Sequence, residues 1–246
     1  LDQAAAWAER IGYPVLVKPL AGSGGYGMRA AGCAEELEAA LEGARAESQA
    51  AFGSDEVYLE KLIPNARHIE FQVLVDKHGA AVSLGDRECS IQRRHQKIVE
   101  ESPSPALSEA KREEIGVAVE RIMKEIGYTN LGSIEFLMDE QGNLYFLEMT
   151  TSIQLEHPVT EMVTGIDLVK SQILLAGGTR LEEIVPKRIS LRGHSIECCI
   201  HAENPTDFKP SSGKIQAFNV PGGTGRSEEH TSELQSLAYL VCRLLL

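Results

Sequence analysis

Positive charge is scarce in this sequence: 24 Lys and Arg stand against 36 Asp and Glu, a formal net charge of -12. That balance excludes a general nucleic-acid or anionic-membrane binder, whose electrostatic footprint is basic. It still admits a small anionic ligand, which needs only a local cluster of donors and cations. Cysteine is sparse too. The 5 cysteines include an adjacent pair, Cys198 and Cys199, and show neither metal-ligand spacing nor a disulfide framework, which points to a reducing compartment and a cytoplasmic protein. No apolar run approaches the ~18 residues of a membrane span, and no signal peptide opens the chain. An initial Met is lacking as well: the chain starts inside what reads as a helix, LDQAAAWAERIG, and is expected to be truncated there. Nor is there a P-loop, since no GxxxxGK is followed by Ser or Thr.

Against these absences, 246 residues with 43% hydrophobic content suffice for one large or two small packed domains. The most informative stretch is SIEFLMDEQGNLYFLEMTTSIQLEH, residues 133–157. Ser133 to Met138 and Leu144 to Met149 read as strands joined by DEQGN, a β-hairpin. Glu135 and Glu148 are equidistant from the Gln141-Gly142 junction, so a two- or four-residue loop would pair them across the ladder. Such like charges are relieved by protonation or by a hard divalent cation that takes oxygens from both. The plainer alternative is a solvated polar face.

In order along the chain, a helix capped by Asp2 should end at Gly12, followed by a strand, Tyr13 to Pro19, with Lys18 near its end projecting toward a ligand or snorkelling. AGSGGYGMR crowds Gly22, Gly24, Gly25 and Gly27 together, and Met28-Arg29-Ala30 reads as a returning strand. This fits a hairpin lid over phosphates, or a mobile surface hairpin. A helix is expected over Ala34 to Ala51, strands over Val57 to Leu62, Arg67 to Val75 and Ala81 to Leu84, and a Ser108-capped helix to Ile126. That helix should carry one stripe of Ile115, Ala118, Val119, Ile122, Met123 and Ile126. Between them, Arg87, Arg93, Arg94, His95 and Lys97 gather beside Gln92 and Gln96. The cluster suits a phosphorylated or carboxylated small molecule, or a salt-bridged surface. Two short helices should split near Gly165 with Asp167 as a cap. Residues 189–220 read as strands opening another domain, GKIQAFNV among them.

Lys18, the glycine loop, EKLIPNARHIEFQVL, RECSIQRRHQKIVEE, the two-glutamate hairpin and IQLEHPVTEMVTGIDLV together resemble biotin carboxylase, the ATP-grasp module of acetyl-CoA, propionyl-CoA, methylcrotonyl-CoA and pyruvate carboxylases. The resemblance covers about residues 1–225. It implies an α+β ATP-grasp fold with a lid subdomain over 1–63 and a larger antiparallel-sheet subdomain over 64–188. The start of a biotin carboxylase C-terminal domain would follow over 189–225, with ATP and magnesium (or manganese) held between lid and sheet. By motif match Lys18, Gly24, Gly25 and Met28 would hold ATP phosphates. Glu60, Lys61, Leu62, Ile63, His68, Gln92 and His95 would surround adenine and ribose. Glu135 and Glu148, with the position of Thr150, would bind the metal. Lys97, Gln154 and Leu155 would line the bicarbonate end, and Glu156 would be the base. The implied partners are biotin on a carboxyl carrier protein, a carboxyltransferase and a second copy in a homodimer.

Three positions depart from the family pattern. It reads EMNTRIQ where this chain has EMTTSIQ, so Thr150 replaces a metal-binding Asn and Ser152 a catalytic Arg. It reads ECRINAE where this chain has ECCIHAE, so Cys199 replaces a second Arg facing biotin. Neither hydroxyl nor thiol reproduces a guanidinium's fixed charge and fork of donors, and losing one transition-state donor costs ~3 kcal/mol. Little or no biotin carboxylation is therefore expected of this polypeptide. Competing readings are a degenerate nucleotide-binding module and an ATP-grasp ligase for another carboxylate. Residues 226–246 begin RSEEHTSELQS, which resembles a translated sequencing adapter and reads as non-native; the closing LAYLVCRLLL would be an amphipathic helix or partner segment.

Overall fold

The computed structural model describes residues 2–21, 25–93, 95–214, 224–231 and 239–245, with the strands in the last two spans described by backbone alone. Gly24, Arg94 and most of GKIQAFNV lie outside the described residues. The chain divides into two units, residues 1–66 with 94–96, and residues 67–93 with 97–246.

In the first unit, α1 (Asp2–Ile11) ends at Gly12, whose positive φ lets its N–H reach back to the Ala8 carbonyl. β1 (Val15–Pro19) is central in a three-stranded antiparallel sheet between β2 (Arg29–Ala31) and β3 (Val57–Lys61), with α2 (Ala34–Phe52) between β2 and β3 in sequence. The core is Val15, Val17 and Ala31 packed on Leu37, Leu41 and Ala44. The returning strand expected at Met28-Arg29-Ala30 runs Arg29–Ala31, beginning one residue later, and Arg29 pairs with Val17.

The second unit is built on an antiparallel sheet ordered β10-β11-β9-β6-β5-β4-β7-β8. β4 (Arg67–Val75) alternates its two faces. Ile69, Phe71, Val73 and Val75 pack under α3 (Glu109–Glu125), while Gln72, Glu70 and His68 occupy the other face, which turns apolar at Leu74. The expected short strand over Ala81 to Leu84 is longer. β5 runs Ala81–Arg93 and β6 runs Gln96–Ser102, so the charged stretch is itself sheet. A run of charges hides a strand when their partners lie on neighbouring strands. At Gly85 (φ +89) β5 bulges against β4, shifting register between Phe71 and Val73.

The Ser108 hydroxyl caps α3 by accepting from the Lys111 N–H, but the buried stripe is narrower than expected. Val119 and Met123 are fully buried with Gly116 beside them, whereas Ile122 and Ile126 are exposed. Gly116 lies on that buried stripe, where a Cβ would meet the Ser83 side chain at ordinary contact distance.

β7 (Asn130–Met138) and β8 (Leu144–Thr150) form the expected hairpin, and Glu135 pairs with Glu148. The loop is Asp139 to Asn143, longer by one than the four-residue alternative. A bulge between Phe136 and Glu135 restores the glutamate pairing. α4 (His157–Thr164) and α5 (Leu168–Gly177) follow, α5 capped by the Asp167 carboxylate, with a short α6 (Leu181–Ile184) after them. β9 (Ser195–His201), in the segment expected to open another domain, lies beside β6 in the large sheet. The closing segment is β-strand rather than helix: β10 (Arg226–Thr231) pairs with β11 (Tyr239–Leu245), which pairs with β9.

Candidate active site

On the polar face of the large sheet one rung crosses four strands. Arg87 on β5 pairs with Glu70 on β4, Glu70 with Glu135 on β7, and Glu135 with Glu148 on β8. Glu70 and Arg87 are fully buried. Arg87 serves as a hub: it donates to Gln72 Oε1 (2.6 Å), Thr160 Oγ1 (3.1 Å), Glu70 Oε2 (2.8 Å), Ser133 Oγ (3.0 Å) and Gln154 Oε1 (2.8 Å). It is thus a fixed internal charge rather than the ligand-facing cation suggested by its neighbours in sequence. Arg93 is also engaged, by Glu203 and over the Phe208 ring at 4.6 Å.

His68 Nε2 lies 2.7 Å from Glu135 Oε2 and 3.2 Å from Glu70 Oε1, and its Nδ1 lies 3.0 Å from the Gln92 amide nitrogen. Burial opposes charging this ring, but the hydrogen bonds to Glu135 and Glu70 outweigh it and raise the pKa to about 9. Lys97 Nζ donates to Glu70 and lies 3.3 Å from Glu156 Oε1 and 3.9 Å from Glu135 Oε2. Attraction to Glu70 and Glu156 likewise overcomes burial and raises the lysine pKa. In return burial would raise the Glu70 carboxyl, but Arg87, His68 and Lys97 hold it well below the ordinary range. Glu135 is lowered against burial chiefly by His68. Three cations therefore face three buried carboxylates, Glu70, Glu135 and Glu156.

Glu148 stands apart from that balance: it is exposed and makes no hydrogen bond or ion pair among the described residues. Thr150 Oγ1 (2.7 Å) and Gln154 Nε2 (2.9 Å) both donate to Glu135 Oε1. Leu155 is half-buried, and Glu156 forms the N-cap of α4 with its carboxylate on Lys97 rather than on the helix. Ser152 is exposed and makes no side-chain hydrogen bond among the described residues. The buried Cys199 Sγ lies 4.0 Å from Glu100 Oε2.

In the first unit Lys18 Nζ lies 3.1 Å from Glu60 Oε2 and 5.7 Å from the Tyr58 ring centroid. Lys61 donates to the Gly12 (2.8 Å) and Tyr13 (2.9 Å) carbonyls, and the Leu62 N–H to the Pro14 carbonyl. Ile63 is half-buried. Gly25 holds φ +79, and a Cβ there would come within 2.8 Å of the His95 ring and 3.0 Å of Met28.

Sequence reasoning missed Glu70 among the site residues. Its only signal was polarity, shared with Gln72, at the even positions of a strand whose odd positions are apolar.

A family model, the carbamoyl-phosphate synthase L chain ATP-binding domain, matches residues 1–184. The chain belongs to that family. Biotin carboxylase of Allochromatium vinosum is 52% identical over 224 residues, 91% of this chain and 49% of that protein. The 2-oxoglutarate carboxylase small subunit of Hydrogenobacter thermophilus is 52% identical over 233 residues, 94% of this chain and 49% of the relative. The chain thus spans about half the length of these relatives. Among solved structures of the family, the biotin carboxylase domain dimer of Hydrogenobacter thermophilus 2-oxoglutarate carboxylase, in complex with MgADP, ADP and bicarbonate, superposes with TM-score 0.93 at 47% identity. The match covers 100% of this chain and 56% of that one. Biotin carboxylase from Campylobacter jejuni gives 0.93 at 40% identity with the same coverage. The fold is therefore the α+β ATP-grasp fold of those structures. No helix among the described residues is long and apolar enough to cross a membrane.

Proposed function

We propose that this chain is the ATP-grasp part of a biotin carboxylase, a cytoplasmic ligase whose whole form uses ATP, magnesium and bicarbonate to carboxylate biotin on a carrier protein for a carboxyltransferase, as a homodimer. The division into lid (1–63), main subdomain (64–188), partial C-terminal domain (189–225) and non-native tail (226–246) belongs to the same proposal. The observation that carries it is the junction of Lys97, Glu156 and Glu135 beside a carboxylate, Glu148, that has no cation of its own among the described residues.

The donor set suits magnesium: Glu135 and Glu148 are register partners with hard oxygens, and the Thr150 hydroxyl adjoins them. When bound, the metal offsets charge on the phosphoryl oxygens. Lys18, Gly24, Gly25 and Met28 would contact the phosphates, and Glu60 to Ile63, His68, Gln92 and His95 the nucleoside. Lys61, whose amine is tied to two carbonyls, would contribute by its backbone. Lys97, kept charged by its carboxylates, would orient bicarbonate with Gln154 and Leu155. Glu156 would accept the proton as the bicarbonate oxygen attacks the γ-phosphorus, giving carboxyphosphate and ADP.

A second reading is favoured by the two positions that lack arginine. Ser152 offers only an exposed hydroxyl, which carries no charge. Burial and nearby Glu100 raise the Cys199 thiol pKa, so it carries no charge. This polypeptide would then bind nucleotide without carboxylating biotin. Calorimetry with MgADP and bicarbonate-dependent ADP release separate the readings. Binding without turnover, with turnover rising at least ~100-fold in the Thr150→Asn/Ser152→Arg/Cys199→Arg variant, is expected. Absence of MgADP binding would overturn both.

A further inference from the structure

Gln154 lies between the end of β8 at Thr150 and the start of α4 at His157, with no strand or helix backbone to fix its side chain. Both ends of its amide are nevertheless held. Oε1 accepts from Arg87 Nη2 at 2.8 Å, and Nε2 donates to Glu135 Oε1 at 2.9 Å. A guanidinium has only donors and an ionised carboxylate only acceptors, so the two contacts demand the same amide orientation. Turning the amide over would set N–H against N–H at Arg87 and oxygen against oxygen at Glu135. In the orientation observed, one N–H is left without a partner among the described residues.

Charge balance alone does not account for how Arg87 is held. Glu70 takes one of its bonds through Oε2, while Oε1 of the same carboxylate accepts from Lys97. The other bonds go to neutral acceptors spread over the fold: Gln72 Oε1 on β4, Ser133 Oγ on β7, Thr160 Oγ1 on α4 and Gln154 itself. Offsetting Glu70 needs none of these, and a lysine would serve. What they fix is the plane and direction of the guanidinium, which only a rigid fork of donors can have fixed. Arg87 is also fully buried, so it has no room to follow Gln154 if the amide swings. The amide follows the fork.

We propose that Arg87 is a positioning residue for bicarbonate: by holding Gln154 Oε1 it keeps the amide turned so that the remaining N–H is offered to the anion. The inference rests on the function proposed above, in which Gln154 and Lys97 line the bicarbonate end. Bicarbonate presents oxygen lone pairs in a region already crowded with the carboxylates Glu70, Glu135 and Glu156. An N–H there attracts it, and a flipped amide would present a carbonyl oxygen that repels it. Arg87 itself touches no substrate and acts through Gln154.

The test uses the whole chain. In the nucleotide-free protein the Gln154 side-chain amide, assigned by its loss in Gln154→Leu, should give an immobile NMR signal by heteronuclear NOE. Arg87→Lys should mobilise it, since lysine keeps a charge beside Glu70 but lacks the fork. Arg112→Lys, at the arginine bound to Asp86, should leave the signal unchanged. Bicarbonate is then titrated into the MgADP-loaded protein, followed by the carbon-13 line width of the labelled anion. Its affinity should fall at least ~10-fold in Arg87→Lys and in Gln154→Leu, with MgADP affinity held within ~2-fold. In the double variant the loss should be no larger than in Gln154→Leu alone, because Arg87 acts through that amide. Additive losses, unchanged bicarbonate affinity in Arg87→Lys, or an amide that stays immobile there would overturn the assignment. Should Arg87→Lys fail to bind MgADP, Thr160→Val, which frees one arm of the fork at nearly constant volume, carries the same comparison with a several-fold loss. Absence of bicarbonate binding by the unsubstituted protein would instead overturn the bicarbonate end of the proposed function, and the amide signal would then decide by itself whether Arg87 fixes Gln154.

Discussion

Glu70 and Glu135 face each other across the β4–β7 ladder, both buried, and His68 Nε2 touches both carboxylates, at 3.2 and 2.7 Å. Two anions so placed coexist because His68, Arg87 and Lys97 surround them, so the rung is a charge-balanced unit rather than a set of separable pairs.

Removing its hub should cost more than any single hydrogen bond. Arg87→Met strands the Glu70 charge without its main partner, and breaking a buried pair from one side typically costs about 3–5 kcal/mol. Urea unfolding should show a midpoint shift of that size. A loss below about 1 kcal/mol would mean Lys97 and His68 suffice for Glu70.

Alkaline pH should weaken the metal-free fold. His68 titrates at about 9 when folded against an ordinary 6.5, so its stabilisation is complete below about 6.5 and is lost as pH rises through 9. Glu100, raised to about 8, acts in the same direction. Melting temperatures from pH 6 to 10 should therefore fall, and His68→Gln should flatten the slope in part. An unchanged slope in that variant would assign the whole effect elsewhere.

The two glutamates of the hairpin should separate by phenotype. Glu148→Gln alters an exposed, unbonded carboxylate and should weaken magnesium-dependent nucleotide binding at least tenfold while stability stays within ~0.5 kcal/mol. Glu135→Gln should lose both, because His68, Thr150 and Gln154 all hold that carboxylate. Calorimetry with and without magnesium, paired with unfolding curves, measures the difference.

At the glycine loop, Gly25→Ala combines a strained positive φ with a Cβ 2.8 Å from the His95 ring. Nucleotide affinity should drop several-fold with little change in melting temperature, since the residue lies outside the core. Unaltered affinity would remove Gly25 from the phosphate contacts.

Local chemistry made much of this legible in advance. Gly12, Ser108 and Asp167 act as helix punctuation, and the DEQGN turn marked the hairpin carrying Glu135 and Glu148, although their pairing comes from a five-residue loop and a bulge rather than from an even loop. What stayed hidden depends on which strands become neighbours. Arg87 meets Glu70 only because a bulge at Gly85 sets the β4–β5 register, and Glu100 meets Glu197 only through a pairing of β6 with β9 distant in the chain. Propensity carries no information about such long-range register. The exposure of Ile122 and Ile126 was also unreadable, since helical periodicity alone does not fix which part of an apolar stripe meets the sheet.

The bulge in β8 reverses phase. Leu144 and Phe146 before it, and Met149 after it, all contribute to the aromatic and aliphatic side of the hairpin, although an uninterrupted strand would send odd and even residues to opposite sides. Leu147 is thus a spacer that puts the residues beyond it out of step with those before it. Deleting that one residue would leave Phe136 opposite Phe146 and Glu135 opposite Glu148 in a straight ladder. The acidic pair would survive with a different strand twist, and altered spacing between the two carboxylates would expose the bulge as their calibrating element.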